Sequence, residues 1–301
     1  MFITVDCAKL NDDKVILYEF YNRNVDSHNV LYYQEKLEKL RSLVEIVYLI
    51  EYSTNQINTV TNIKITKFES GRNPYIVIDN VDFNEFRQWY LEQNGAVRNF
   101  RYSKEFGIIK NTGDEYVETI LTKLVGCNLT SDNNGRELII PALAGIHTHF
   151  FDFDLLNTKS GFNIEFLKNE SHIKKRQGKQ KWDLSNSATH PNRYWRQNKM
   201  KFLTLWEACK IVRSDLYLLS YSEDINEDLH LMKVLNLDED GIKHDIGFKI
   251  KYNAFIEWLK EMDKGVINDI DYLKQHSNSW RERDEVFWSE EEYWKSELKK
   301  F

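Results

Sequence analysis

The centre of the chain fixes local geometry more firmly than any other stretch. From His147 to Lys181 it reads HTHFFDFDLLNTKSGFNIEFLKNESHIKKRQGKQK. Asn157, Ser160 and Gly161 are turn formers, and Phe162–Leu167 is a good strand. Asp154 and Glu165 then stand on either side of a tight turn, Glu165 within the second strand. Asp152 shares the face of Asp154, because strand side chains alternate with a period of two. A basic loop follows at once, with Lys174, Lys175, Arg176, Lys179 and Lys181.

Around this stretch the periodicities predict two units and a tail. Residues 1–100 read as an α+β unit of unknown role, which would read sequence or structure or bind a partner. Its strand-like runs are Phe2–Cys7, Val15–Tyr21, Ile57–Phe68 and Tyr75–Asp79. A helix is expected over Gln34–Glu51, with Leu37, Leu40, Val44 and Val47 on one face. A second is expected from Phe83, capped by Asp82 and ended by Gly95. Residues 101–262 read as the second unit. A helix opens at Gly113–Asp114, an apolar run over Glu137–Ile146 is broken by Pro141, and the central strands follow. Then come a helix over Asn192–Arg213, strands at Leu216–Tyr221 and Leu229–Leu237, and an amphipathic helix at Tyr252–Met262. Residues 263–301 read as a helical extension, with Trp280, Phe287, Trp294 and Phe301 spaced seven apart as in a helix seam. No internal repeat and no low-complexity segment is expected.

Charge is unevenly spread. The net charge is −6, yet between Lys168 and Lys201 ten basic residues face only Glu170 and Asp183. Such a patch can bind phosphates on an acidic body, because salt screens distant surface charge. Arg193 and Arg196 extend it, and Trp182, Tyr194 and Trp195 interleave aromatic faces that could stack on bases. His190–Pro191–Asn192–Arg193 forms a polar knot before a helix, where a phosphate could meet the N-terminus. No run approaches the roughly 18 apolar residues of a membrane span, and the first residues lack the layout of a signal peptide. Three scattered cysteines make no disulfide framework. A cytoplasmic protein without membrane contact is the expectation.

Two carboxylates beside a lysine suit metal-assisted phosphodiester hydrolysis. The acids share Mg²⁺ or Mn²⁺, and the lysine stands near the attacking water. Over about 114–237, the order helix, strand with Asp154, strand with Glu165, helix and two strands resembles the PD-(D/E)XK nuclease superfamily. That resemblance implies a restriction-endonuclease-like α/β (α+β) fold, a mixed central sheet flanked by helices. It implies Asp154 and Glu165 as metal ligands, and Glu118 on the preceding helix as a supporting acid. It places Asn198 or Lys199 beside the site. It also implies double-stranded DNA as partner, bound by a homodimer or with a partner protein. The family's usual lysine position is occupied by Leu167. Lys168 comes one residue later, on the opposite face by strict alternation, so a bulge would have to re-aim it. Otherwise Lys199 or Lys201 from the helix takes the role. The expected function is a Mg²⁺-dependent DNA endonuclease of restriction or phage-defence type. A non-catalytic adaptor and an RNA nuclease are the alternatives. The His147-x-His149 pair resembles an amidohydrolase metal strand, but the 152 residues after His149 do not alternate strand with helix as a β/α barrel requires.

Overall fold

A computed structural model of the chain describes residues 2–24, 30–55, 60–95, 119, 135–143, 148–168, 190–221, 228–265 and 268–289. The first half runs β1 (Phe2–Asn11), β2 (Lys14–Asn22), α1 (Val30–Leu43), β3 (Ile46–Thr54), β4 (Val60–Glu69), β5 (Tyr75–Val81) and α2 (Phe83–Gly95). A short helix, α3 (Arg136–Ala142), leads to β6 (Phe151–Asn157) and β7 (Phe162–Lys168). A 3₁₀ turn (Pro191–Tyr194) then opens α4 (Trp195–Ile211). It is followed by β8 (Asp215–Tyr221), β9 (Leu229–Asp238), β10 (Gly241–Ile250) and α5 (Tyr252–Lys264). The last described elements are α6 (Asp269–His276), β11 (Ser279–Arg283) and α7 (Glu285–Ser289).

The eleven strands among the described residues belong to one mixed, mostly antiparallel sheet, in the order β11-β10-β9-β8-β7-β6-β1-β2-β3-β4-β5. The two predicted units thus share a sheet, joined where β1 pairs antiparallel with β6. Outward from that seam the two sides match. β1–β2 and β6–β7 are antiparallel, β2–β3 and β7–β8 are parallel, and the next two pairs on each side are antiparallel again. Each parallel pair is spanned by a helix, α1 or α4, and each set of strands is followed by another, α2 or α5.

The expectation of no internal repeat is therefore overturned: β1-β2-α1-β3-β4-β5-α2 recurs as β6-β7-α4-β8-β9-β10-α5. Matched residues are few but structural. α2 buries Phe86 and Trp89, and α5 buries Phe255 and Trp258 at the same Phe-x-x-Trp spacing. Truncating an aromatic in such a position costs about 3–5 kcal/mol, so this shared pair fixes how each helix sits on its half of the sheet.

Helices cover both faces. On one face α1 and α4 share a core with the central strands, including Leu40, Leu205, Ala208, Val5, Leu17, Val47 and Leu218. On the other, α2 and α3 pack over the N-terminal half, and α5 and α6 over the C-terminal half. The second face is aromatic-rich because wide rings fill the space between helix and sheet with little rotamer entropy lost.

Several boundaries move. The helix expected over Gln34–Glu51 ends at Leu43, and Val47 lies buried on β3. The run Ile46–Ile50 is β-branched or apolar throughout, which suits a strand in a sheet covered on both faces. Glu137–Ala142 is helical with Pro141 inside it, and β10 was not anticipated. Trp280 lies on β11 rather than in a helical seam, since Ser279–Arg283 pairs along β10. Trp294 and Phe301 fall outside the described residues. The cap expected at Asp82 holds: its Oδ1 accepts from the backbone N–H of Asn84 at 2.8 Å and of Glu85 at 3.0 Å. Among the described residues, no helix is long and apolar enough to cross a membrane.

Candidate metal centre

The site is built on the β6–β7 hairpin. Asn157 closes its turn, accepting at Oδ1 from the N–H of Lys159 at 2.9 Å and of Ser160 at 2.8 Å. Gly161 completes the turn at φ 65°, where a Cβ would stand 3.0 Å from the carbonyl of Arg213. Gly161→Ala should therefore cost about 1–2 kcal/mol of stability, from the left-handed backbone together with that close approach. Urea unfolding of the variant checks this.

The turn sets Leu155 opposite Ile164, which brings Asp154 opposite Glu165. The Asp154 carboxylate accepts from the backbone N–H of Phe166 at 2.7 Å and is thereby fixed in position. Asp152, Asp154 and Glu165 each offer an oxygen, and these lie within 4.8 Å of one another. Asp152 is exposed, Asp154 half-buried and Glu165 only 1% exposed. Choosing between Asp152 and Asp154 is unnecessary at this spacing, since both face the same point.

The lysine comes from α4. Lys201 Nζ contacts Glu165 Oε1, and its side chain is 30% exposed. Phe202 and Leu205, which follow on the same helix, are buried on the sheet and hold Lys201 over β7. Burial pushes the Glu165 carboxyl above the ordinary range; Lys201 opposes that rise and Asp152 adds to it. Burial works against the charge on Lys201, but Glu165, Asp152 and Asp154 outweigh it, so its pKa is raised. The lysine is thus a fixed cation. Among the described residues, Glu165 Oε2 is buried with no hydrogen-bond partner. A buried carboxylate oxygen left this way costs stability, and hard cations are bound by such oxygens. The three carboxylates fit Mg²⁺ or Mn²⁺ on that ground.

The other expected residues fall elsewhere. Lys168 ends β7 in an exposed position, three residues after Glu165 in unbroken register with β8. Alternation therefore keeps it off the Glu165 face. Lys199 pairs with Glu239 at 3.4 Å. Asn198 and Arg196 lie on the first turns of α4, with Arg196 exposed. Glu118, His147, Lys174, Lys175, Arg176, Lys179, Lys181 and Trp182 lie outside the described residues, as do the side chains of Arg193 and Tyr194. Trp195 is core, stacked on Phe202 with ring centroids 5.7 Å apart.

His190 does not face a ligand. It is fully buried, its Nδ1 accepts from the N–H of Asn192 at 3.2 Å, and its Nε2 meets Asp245 Oδ2 at 3.3 Å. His149 lies where the chain enters β6, its backbone N–H donating to Asn94 Oδ1 at 2.8 Å.

No family model matches the chain, and no curated protein and no solved structure matches it.

Proposed function

We propose that the chain is a divalent-cation-dependent nuclease that hydrolyses DNA phosphodiester bonds, of the restriction or phage-defence type. The restriction-endonuclease-like arrangement would be the β6-β7-α4-β8 part of the sheet. The observation that carries this reading is that Asp152, Asp154 and Glu165 each offer an oxygen within 4.8 Å of the others, beside the Lys201 ammonium on Glu165 Oε1. Asp152, Asp154 and Glu165 would hold Mg²⁺ or Mn²⁺. When bound, such an ion supplies charge neutralisation on a phosphate and a more acidic water.

The chain's own residues do the rest. Phe166 N–H holds Asp154 in place, and Lys201 orients Glu165 through Oε1. The raised pKa of Lys201 keeps it charged, so its remaining N–H groups can donate to a phosphate oxygen at the exposed side of the site. The basic run from Lys174 to Lys181, with Arg193 and Arg196, would bind backbone phosphates, a contact that weakens steeply with salt.

The test is cleavage of supercoiled plasmid and of a structured RNA, each with Mg²⁺, with Mn²⁺ and with chelator. Cleavage of neither in any divalent metal sinks the proposal, and cleavage of RNA alone moves it to an RNA nuclease. Among the lysines, Lys201→Met should lower the rate about 10- to 100-fold, the usual cost of losing a group that orients a metal ligand. Lys168→Ala and Lys199→Ala should stay close to wild type in the same plasmid assay.

A further inference from the structure

The repeated topology carries a second acid–acid–lysine cluster. Asp6 on β1 and Glu19 on β2 face each other, because Cys7 is opposite Tyr18 just as Leu155 is opposite Ile164. Asp6 Oδ2 accepts from the N–H of Phe20 at 2.9 Å, as Asp154 Oδ2 does from Phe166 at 2.7 Å. Lys36 on α1 contacts Glu19 Oε2, as Lys201 on α4 contacts Glu165. Each lysine is followed four residues later by a fully buried leucine, Leu40 or Leu205. Five residue identities, one backbone hydrogen bond and one ion pair thus recur at equivalent places in the two halves.

The copies differ in access and in charge. The side chains of Asp6, Glu19 and Lys36 are only 2–3% exposed. Of their counterparts, Glu165 is as buried as Glu19, and the difference lies in Lys201, whose side chain is 30% exposed. Thr4, two residues before Asp6, stands where the second half has Asp152, two residues before Asp154. Lys36 Nζ also lies 3.9 Å from Asp6 Oδ1, so one ammonium serves both acids.

We infer that the chain is a fused pair of one ancestral unit in which the C-terminal copy takes a divalent cation while the N-terminal copy is sealed, with Lys36 bridging its two acids and Thr4 where the third acid would be. The first half would then be a spent twin of the site-bearing half rather than a separate recognition module. Lys36, paired with both Asp6 and Glu19, ties α1 to the N-terminal sheet without any ion. The inference rests on the reading of Asp152, Asp154 and Glu165 as a cation site.

Titration of purified full-length protein with Mn²⁺ alone, followed by calorimetry, tests it. Wild type should take up Mn²⁺, and Asp154→Asn/Glu165→Gln should lose all uptake. Asp6→Asn/Glu19→Gln/Lys36→Met, which removes the buried charges together and leaves none unpaired, should keep wild-type uptake. Residual uptake in Asp154→Asn/Glu165→Gln would show a working N-terminal copy and overturn the inference. That variant alters only the open site, so it decides the point even where the triple variant does not fold. A wild type that takes up no Mn²⁺ has a different signature: it removes the open copy too, and with it the nuclease reading.

Discussion

Glu165→Gln is expected to abolish divalent-metal-dependent cleavage while leaving the protein folded. Glu165 meets both Lys201 and the point shared with Asp152 and Asp154. Glutamine keeps the shape but loses the negative charge that a cation would meet. Loss of about 100-fold or more in rate, equivalent to roughly 3 kcal/mol of transition-state stabilisation, is the expected scale for a ligand that both holds the ion and is held by the lysine. Stability should move the other way. The carboxylate is 1% exposed and burial raises its pKa, so its charge is carried at a cost. Lys201, 30% exposed, can turn to solvent when its partner becomes neutral. The variant should melt at or above the wild-type temperature. Plasmid cleavage and thermal unfolding of the same preparation separate the two effects. A variant that cuts at the wild-type rate would remove Glu165 from the reaction.

What could be read from the sequence was what is encoded within a few residues. The Asn157–Gly161 turn and the facing Asp154 and Glu165 were visible because turn chemistry and strand alternation are local. So were the Asp82 cap and the α5 stripe. The lysine was not, because strand periodicity only says that Lys168 lies on the opposite face. Which of Lys199 and Lys201 reaches Glu165 depends on how α4 docks, and that is set by Phe202 and Leu205 against a sheet whose order the sequence does not display. The duplication was hidden for a related reason. Its shared residues are isolated: a Glu-Phe pair, a lysine with a leucine four later, and a Phe-x-x-Trp. The connections between them differ in length, with Asp12 and Asp13 closing one hairpin and Thr158–Gly161 the other. A signal was present all the same. Asp6 and Glu19 each have apolar neighbours along their strands, and an acid buried among such residues is stable only when a partner comes from elsewhere in the chain.

Asp245→Ala should be among the most destabilising single substitutions in the C-terminal half, although Asp245 touches no part of the site. Asp245 on β10 is fully buried and accepts from Arg283 of β11, with Nε at 2.9 Å, while its other oxygen meets His190 Nε2 at 3.3 Å. Arg283 is itself only 6% exposed, and it lies where any side chain at position 247 would be. Burial alone would raise the Asp245 pKa, but His190 and Arg283 outweigh it and hold the carboxyl below its ordinary value. Removing the carboxylate leaves a buried guanidinium uncompensated, which costs about 3–5 kcal/mol; the melting temperature should fall by roughly 5–10 °C. The cluster also gives stability a defined pH dependence. Burial and the nearby Arg283 lower the His190 pKa to about 4. Its Nδ1 must stay unprotonated to accept from Asn192 N–H, which sets the start of α4 and hence of Lys201. The unfolded chain takes up this proton near pH 6.5 and the folded chain only near pH 4, so the contribution is full above pH 6.5 and is lost as pH falls to 4, by up to about 3 kcal/mol. His190→Asn keeps an acceptor for Asn192 N–H and has nothing to titrate. Denaturant midpoints of wild type and His190→Asn should converge as pH falls from 7.5 to 4.5, because only the wild type gives up this contribution. Parallel midpoints across that range would show that His190 is not the group that titrates.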